Sequence, residues 1–238
     1  MKHNSILVML GVTLLAAFCT TGFAAAQNLE EATAVYEKAV AVRDSSRSAA
    51  ITLFEQAREM ADELGDKGAA LAAQCKEILP KLYLEFGTEW ATAGEFDKAI
   101  KALNQAVEYG EEESSPKILS DIYITKAVAC QQVKDWKGAL ENAQKSVQSL
   151  DNPMAEKIVG LSAFSLKQNK VAAEAWEAYL SMAPEAIEKE AGIVYNLGLA
   201  LVATGESDKA CGYFRQIAQD ADFGMAARYQ IVTLKCTP

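Results

Sequence analysis

The stretch 195–214, YNLGLALVATGESDKACGYF, contains the spacing that decides the fold. Gly198 is followed after seven residues by Gly205, after five more by Ala210, and after four more by the bulky Phe214. Apolar residues recur at three- and four-residue intervals on both sides of Gly205, a pattern typical of amphipathic helices. The stretch therefore predicts two helices joined by a tight turn.

The same spacing occurs three more times. The copies are Gly87, Gly94, Ala99, Leu103 and Ala106; Ala127, Trp136, Ala139 and Pro153; and Gly160, Ala172, Trp176 and Pro184. Repetition at this period predicts a stack of helical hairpins that works through an extended surface.

At these residues the chain resembles the tetratricopeptide repeat family, and in particular an exported bacterial member of it. The resemblance implies an all-α fold, a right-handed superhelical stack of helix-turn-helix hairpins. The repeats are phased at 80–113, 120–153, 153–186 and 191–224. Residues 27–79 are predicted to form N-terminal helices with a degenerate repeat at 31–64, and Pro80 is predicted to kink or break a helical run over 67–93. Residues 225–238 form a predicted capping helix with Met225, Tyr229, Ile231 and Leu234 apolar.

The N-terminus has the features of a secretory signal peptide over residues 1–26. Lys2 and His3 precede an apolar run, and small residues end at Ala26. This predicts a periplasmic or secreted protein. A lipoprotein anchored through Cys19 is the less favoured alternative, because Phe18 stands where a small residue is needed.

Composition excludes several classes of activity. The net charge is −9, which disfavours nucleic acid as a partner. The one histidine is His3, inside the predicted signal peptide, so Ser-His and Cys-His catalysis and imidazole-bound metals are not expected. No Gly-rich phosphate loop is present. The sequence predicts no enzyme, no cofactor, no metal site and no membrane-spanning segment after the signal.

The cysteines lack CxxC spacing, but export makes a disulfide feasible. Cys211 and Cys236 lie at similar heights on two predicted antiparallel helices, about 4.5 Å apart along the axis, so we predict that they are bridged. Cys75 and Cys130 are expected to be buried free thiols. The aromatic residues Tyr83, Phe86, Trp90, Phe96, Trp136, Trp176 and Phe214 are interpreted as packing residues.

The family resemblance also implies a binding face on the first helix of each hairpin, along the concave side. The matching residues are Leu84, Thr88, Ile124, Val128, Gln131, Lys157, Leu161, Phe164, Tyr195, Leu199 and Val202. They are mostly apolar, which suits an apolar segment of a partner protein, and Leu84 and Thr88 cannot grip a terminal carboxylate. The alternative is that these residues pack against neighbouring helices.

The sequence thus favours a non-catalytic protein-binding scaffold of the cell envelope, with an envelope protein or peptide as its partner. Two alternatives remain at this point. The apolar surface could serve a homodimer in a self-associating structural protein, or paired carboxylates could form a hydrolase site.

Overall fold

In the computed structural model, residues 28–237 are described. Within this range the chain is helical and contains no strand. The helices are α1 (28–42), α2 (Arg47–Glu63), α3 (Ala69–Thr92), α4 (Phe96–Glu108), α5 (Ser114–Gln132), α6 (Trp136–Ser149), α7 (Pro153–Ser165), α8 (Asn169–Met182), α9 (Ala186–Lys189), α10 (Ala191–Thr204), α11 (Ser207–Gln216) and α12 (Gly224–Thr233), with a 3-10 turn at Gly65–Lys67. None of these helices is long and apolar enough to cross a membrane. The predicted signal peptide, with His3 and Cys19, lies outside the described residues.

The chain divides into two compact units, one ending at Ser115 and one beginning at Pro116. In the first unit, α1 and α2 occupy the predicted degenerate repeat, and α3 and α4 form the next hairpin. The second unit contains the hairpins α5/α6, α7/α8 and α10/α11, followed by α12. The all-α prediction of hairpin repeats is confirmed, whereas the right-handed sense of the whole stack stays a prediction.

Within three hairpins a glycine of the first helix touches a bulky residue of the second. A Cβ built on Gly87 would lie 2.6 Å from Leu103, and one on Gly160 or Gly198 would overlap the ring of Trp176 or Phe214. The sequence interval is sixteen residues in each case. The missing side chain is therefore what lets the two helices approach.

In the hairpin α5/α6, two small residues allow the same close approach of the helices. Ala127 and Ala143, also sixteen residues apart, are both fully buried in the core of the second unit. Because Ala143 on α6 has only a methyl side chain, α5 can carry alanine instead of glycine at position 127. Deeper in this hairpin, the buried hydroxyls of Ser120 and Ser146 are 2.7 Å apart and hydrogen-bonded.

All four of these hairpins turn through a left-handed residue seven positions after the small one. Gly94 has a φ of +76° and Gly205 a φ of +86°. Lys134 and Lys167 stand at the same place in the other two hairpins, with φ values of +59° and +60°. A left-handed conformation is costly for a residue with a Cβ. Lys134 and Lys167 adopt it because the turn of the hairpin requires it.

Helix α3 is the main departure from the predicted boundaries. It runs unbroken from Ala69 to Thr92 and contains Pro80, so the predicted boundary between residues 79 and 80 falls inside it. A proline inside a helix costs about 3 kcal/mol. Helix α3 packs on both α2 and α4, and Leu79 and Leu82 beside the proline are fully buried. That burial offsets the cost of the proline and keeps the helix continuous.

Helix α12 packs on α11, but not through all the predicted residues. Ala227 is buried, and Ile231 and Leu234 pack against the core of the second unit. Met225 and Tyr229 are instead 77% and 69% exposed. Residues 227, 231 and 234 share one face at helical spacing, and residues 225 and 229 lie away from it. The prediction that Met225 and Tyr229 belong to the packing face was wrong.

A disulfide joins Cys211 to Cys236, the pair chosen from the sequence, with their Cα atoms 5.7 Å apart. It ties the segment after α12 to α11. Cys75 is a buried free thiol as predicted, but Cys130 is only partly buried. Cys130 lies at the end of α5, near the exposed turn, and this explains the difference.

Candidate functional site

The predicted binding residues divide between the two units. Leu84 and Thr88 lie on α3 in the first unit. The other nine lie at matching positions on α5, α7 and α10, the first helices of the three hairpins in the second unit. We call these nine the A-helix face: Ile124, Val128, Gln131, Lys157, Leu161, Phe164, Tyr195, Leu199 and Val202.

Two residues of the A-helix face are apolar and exposed. Val128 is 38% exposed and Leu161 is 40% exposed. Each directly follows the buried small residue of its hairpin, Ala127 or Gly160. Leu199 holds the same position on α10 but is only partly exposed, because it packs against the core.

The aromatic members of the face serve chiefly to pack. The ring of Phe164 lies 5.4 Å from that of Trp176, and the ring of Tyr195 lies 5.6 Å from that of Phe214 and 5.7 Å from that of Phe223. Such ring pairs add to the stability that apolar burial provides. Phe164 and Tyr195 therefore pack against neighbouring helices, as the alternative interpretation predicts, although each keeps some exposed surface.

Lys157 is held in a hydrogen-bonded network. Its ammonium lies 2.5 Å from a carboxylate oxygen of Glu190, and the other oxygen of Glu190 accepts the hydroxyl of Tyr179 at 2.8 Å. Burial opposes ionisation of Glu190, but the hydrogen bonds from Lys157 and Tyr179 prevail and lower its pKa. Burial and the bond to Glu190 raise the pKa of Tyr179 to about 12. Lys157 therefore fastens α7 to the start of α10 and is not a free contact residue.

Two further features bear on the face. The amide nitrogen of Gln131 is buried without a hydrogen-bond partner among the described residues. Met154, near the start of α7, is 49% exposed and was missed in the sequence prediction. The repeat spacing could have found it, because it precedes Lys157 by three residues and Leu161 by seven, and therefore shares their side of the helix.

A cavity of about 380 Å³ lies in the second unit between α6, α7 and α8, and no residue of the A-helix face lines it. Its lining includes Glu156 and Glu174. Burial, and then the charge of Asp151, raise the pKa of Glu156. In the described part of the chain, no cluster of histidine, cysteine or carboxylate side chains is arranged to hold a metal ion.

A second cavity, of about 460 Å³, lies in the first unit between α2, α3 and α4. Its walls include Tyr83, Phe86 and Trp90, which the sequence interpretation treated as packing residues. Trp176 and Phe214 are indeed fully buried, whereas these three are only partly so. The signal in the sequence was their spacing of three and four residues along one helix, but that spacing alone does not separate a cavity wall from a core.

No family model matches the chain, and no curated protein matches it. Solved structures do align with it at low identity. A MamA protein is 16% identical, covers 90% of this chain and 98% of its own, with a TM-score of 0.37. MamA from Desulfovibrio magneticus RS-1 is 16% identical; the alignment covers 79% of this chain and 93% of the MamA chain, with a TM-score of 0.36. YrrB, described as a TPR protein with an unusual peptide-binding site, is also 16% identical. The alignment covers 82% of this chain and 96% of the YrrB chain, with a TM-score of 0.39.

The resemblance to the tetratricopeptide repeat is carried by the hairpins themselves. The contact between Gly198 and Phe214 has an equivalent in two other hairpins, and the left-handed turn at Gly205 has one in three others. In its fold this chain is a series of tetratricopeptide-like helical hairpins.

Proposed function

We propose that this protein is a non-catalytic binding scaffold of the cell envelope that holds an apolar segment of a partner protein on the A-helix face. The observation that carries the proposal is the exposure of Val128 and Leu161 at equivalent positions of successive hairpins. Exposed apolar residues at a regular spacing suit an amphipathic helix or an extended apolar segment.

The envelope location is supported by two independent features. Residues 1–26 have the pattern of a signal peptide. The Cys211–Cys236 disulfide is of the kind that persists in oxidising compartments such as the periplasm. Both features suit a protein that works outside the cytoplasm.

The test is cross-linking of the tagged protein in its native envelope, followed by identification of the captured species by mass spectrometry. The variant Val128→Glu/Leu161→Glu adds two charges to the face. We expect it to lose the partner while keeping wild-type helicity by circular dichroism, because a carboxylate buried at an interface without a counter-charge is costly.

The control is Val133→Glu/Met182→Glu, which adds the same charge at two exposed apolar positions of the same unit, 77% and 41% exposed, outside the A-helix face. It should keep the partner. If both variants lose the partner equally, the face is not the binding site. If the wild type cross-links only to itself, and light scattering shows a mass that rises with concentration, the protein is a self-associating one instead.

A further inference from the structure

The cavity of the first unit combines aromatic walls with charged groups. Its lining includes Glu55 of α2, Tyr83, Phe86 and Trp90 of α3, and Lys98 and Lys101 of α4. Its volume of about 460 Å³ lies within the range of cavities that hold small molecules. All of its lining comes from the compact unit that ends at Ser115.

The aromatic walls are fixed by contacts among themselves. The rings of Phe86 and Trp90 meet edge to face with centroids 5.7 Å apart. The ring of Tyr83 stacks on that of Tyr109 at 5.7 Å, with an angle of 14° between the planes. Since these contacts already set the ring positions, a flat ligand would meet a preformed surface and lose little to reorganisation.

The acidic group in the lining is already satisfied. One carboxylate oxygen of Glu55 accepts the hydroxyl of Tyr83 at 2.7 Å and that of Tyr109 at 3.3 Å. Burial, and then its own hydrogen bond to Glu55, raise the pKa of Tyr83. Glu55 therefore acts as an internal acceptor that holds the tyrosines in place.

The basic groups of the cavity lining belong to α4. Lys98 and Lys101 are one turn apart on α4, and both line the cavity. The ammonium of Lys98 is 4.2 Å from the centre of the Trp90 ring and 3.3 Å from a carboxylate oxygen of Glu95. The lining thus carries two ammonium groups against one hydrogen-bonded carboxylate, in a chain whose net charge is −9. Because Glu95 already pairs with Lys98, the positive charge of the lining that is left for an anion comes chiefly from Lys101.

We propose that this cavity binds a small aromatic carboxylate, with its ring against Phe86 and Trp90 and its carboxylate beside Lys98 and Lys101. The aromatic surface supplies stacking and apolar burial, and the ammonium groups supply charge-assisted hydrogen bonds. The site is separate from the A-helix face, so it does not depend on the proposed scaffold function.

The experiment is isothermal titration of the full protein with three naphthalenes of similar size: 2-naphthoate, 2-naphthamide and 2-naphthylmethylammonium. We expect 2-naphthoate to bind tightest. Replacing Lys101 with alanine should weaken its binding about threefold, and the double variant Lys98→Ala/Lys101→Ala about tenfold, as expected for partly exposed ion pairs. Lys101→Arg should retain binding, because the charge is kept.

Lys170→Ala is the matched control, since it removes an exposed lysine of the second unit and should leave the affinity unchanged. Tighter binding of the ammonium compound would overturn the proposal and indicate a cation site around Glu55. Equal binding of 2-naphthamide would show that the lysines do not select an anion, and absence of binding would also overturn it. The Val128→Glu/Leu161→Glu variant should still bind 2-naphthoate, which separates this test from that of the scaffold.

Discussion

Replacing the two left-handed lysines by glycine should stabilise the protein. Lys134 and Lys167 have φ values near +60° at the turns of their hairpins. A left-handed conformation costs a residue with a Cβ about 1–2 kcal/mol, whereas glycine brings an entropic disadvantage of about 0.5–1 kcal/mol. The difference predicts a gain of about 0.5–1 kcal/mol for each replacement. Both lysine side chains are exposed, so little packing is lost with them.

The reverse substitutions provide the counterpart. A Cβ built on Gly94 or Gly205 meets no atom within 4 Å, so alanine there would cause no clash. Gly94→Ala and Gly205→Ala should nevertheless each cost about 0.5–1 kcal/mol, because the cost of a left-handed Cβ exceeds the entropic gain from removing glycine. The loss would arise from conformation alone.

The assay is urea unfolding followed by circular dichroism, with the free energy of unfolding taken from the midpoint and slope. Lys134→Gly and Lys167→Gly lie in different hairpins, so their gains should add to about 1–2 kcal/mol. Lys137→Gly, in the right-handed first turn of α6, is the control and should cost about 1 kcal/mol. The reasoning would be refuted if the turn variants were no more stable than the wild type, or if Lys137→Gly behaved like them.

Three further predictions concern packing, charge and the disulfide. Gly160→Ala should destabilise the protein by about 2–3 kcal/mol in urea unfolding, because the new methyl group overlaps Trp176; an unchanged midpoint would contradict the close approach. Because the pKa of Glu190 is lowered in the folded state, its contribution is present above pH about 4.5 and is lost as the pH falls through its folded pKa. Glu190→Gln should therefore cost about 1 kcal/mol at pH 7 and less in acid, and an equal loss at both pH values would refute the pairing. Replacing Cys211 and Cys236 by serine should cost about 3.5 kcal/mol for a closed loop of 25 residues, measured against the wild type with and without reductant; equal stability of the variant and the oxidised wild type would argue against the bridge.

The hairpins could be predicted from the sequence because their packing rule is local. The small residue and its bulky partner stand sixteen residues apart, as in Gly198 and Phe214, and the turn between them has a nearly fixed length. Because the two residues in contact are close in sequence, the contact can be recognised from the fixed interval between them. The boundary predicted at Pro80 was wrong because α3 is stabilised by its packing on α2 and α4. The sequence around Pro80 alone does not indicate that packing.

The candidate sites were harder to predict for the same physical reason. The nine residues of the A-helix face were predicted from the family resemblance, by their position in each repeat, but that position does not tell how much of each side chain a neighbour covers. Tyr195 is held by Phe223, 28 residues away, and so differs from Val128. The first-unit cavity depends on Glu55, which meets Tyr83 only after α2 and α3 have packed together. Neither contact has a local sequence signal.

The packing rule of the hairpin also explains why Val128 and Leu161 are exposed. The small residue before each of them must face the second helix of its own hairpin, as Gly160 faces Trp176. One residue further along an α-helix, the side chain points about 100° away. The residue after the small one is therefore turned away from that helix by the same constraint that builds the core. At these positions 38% of Val128 and 40% of Leu161 is exposed, and packing in the core does not require that exposed part to be apolar. It is this exposed apolar surface at two successive hairpins that makes the A-helix face a binding surface to test.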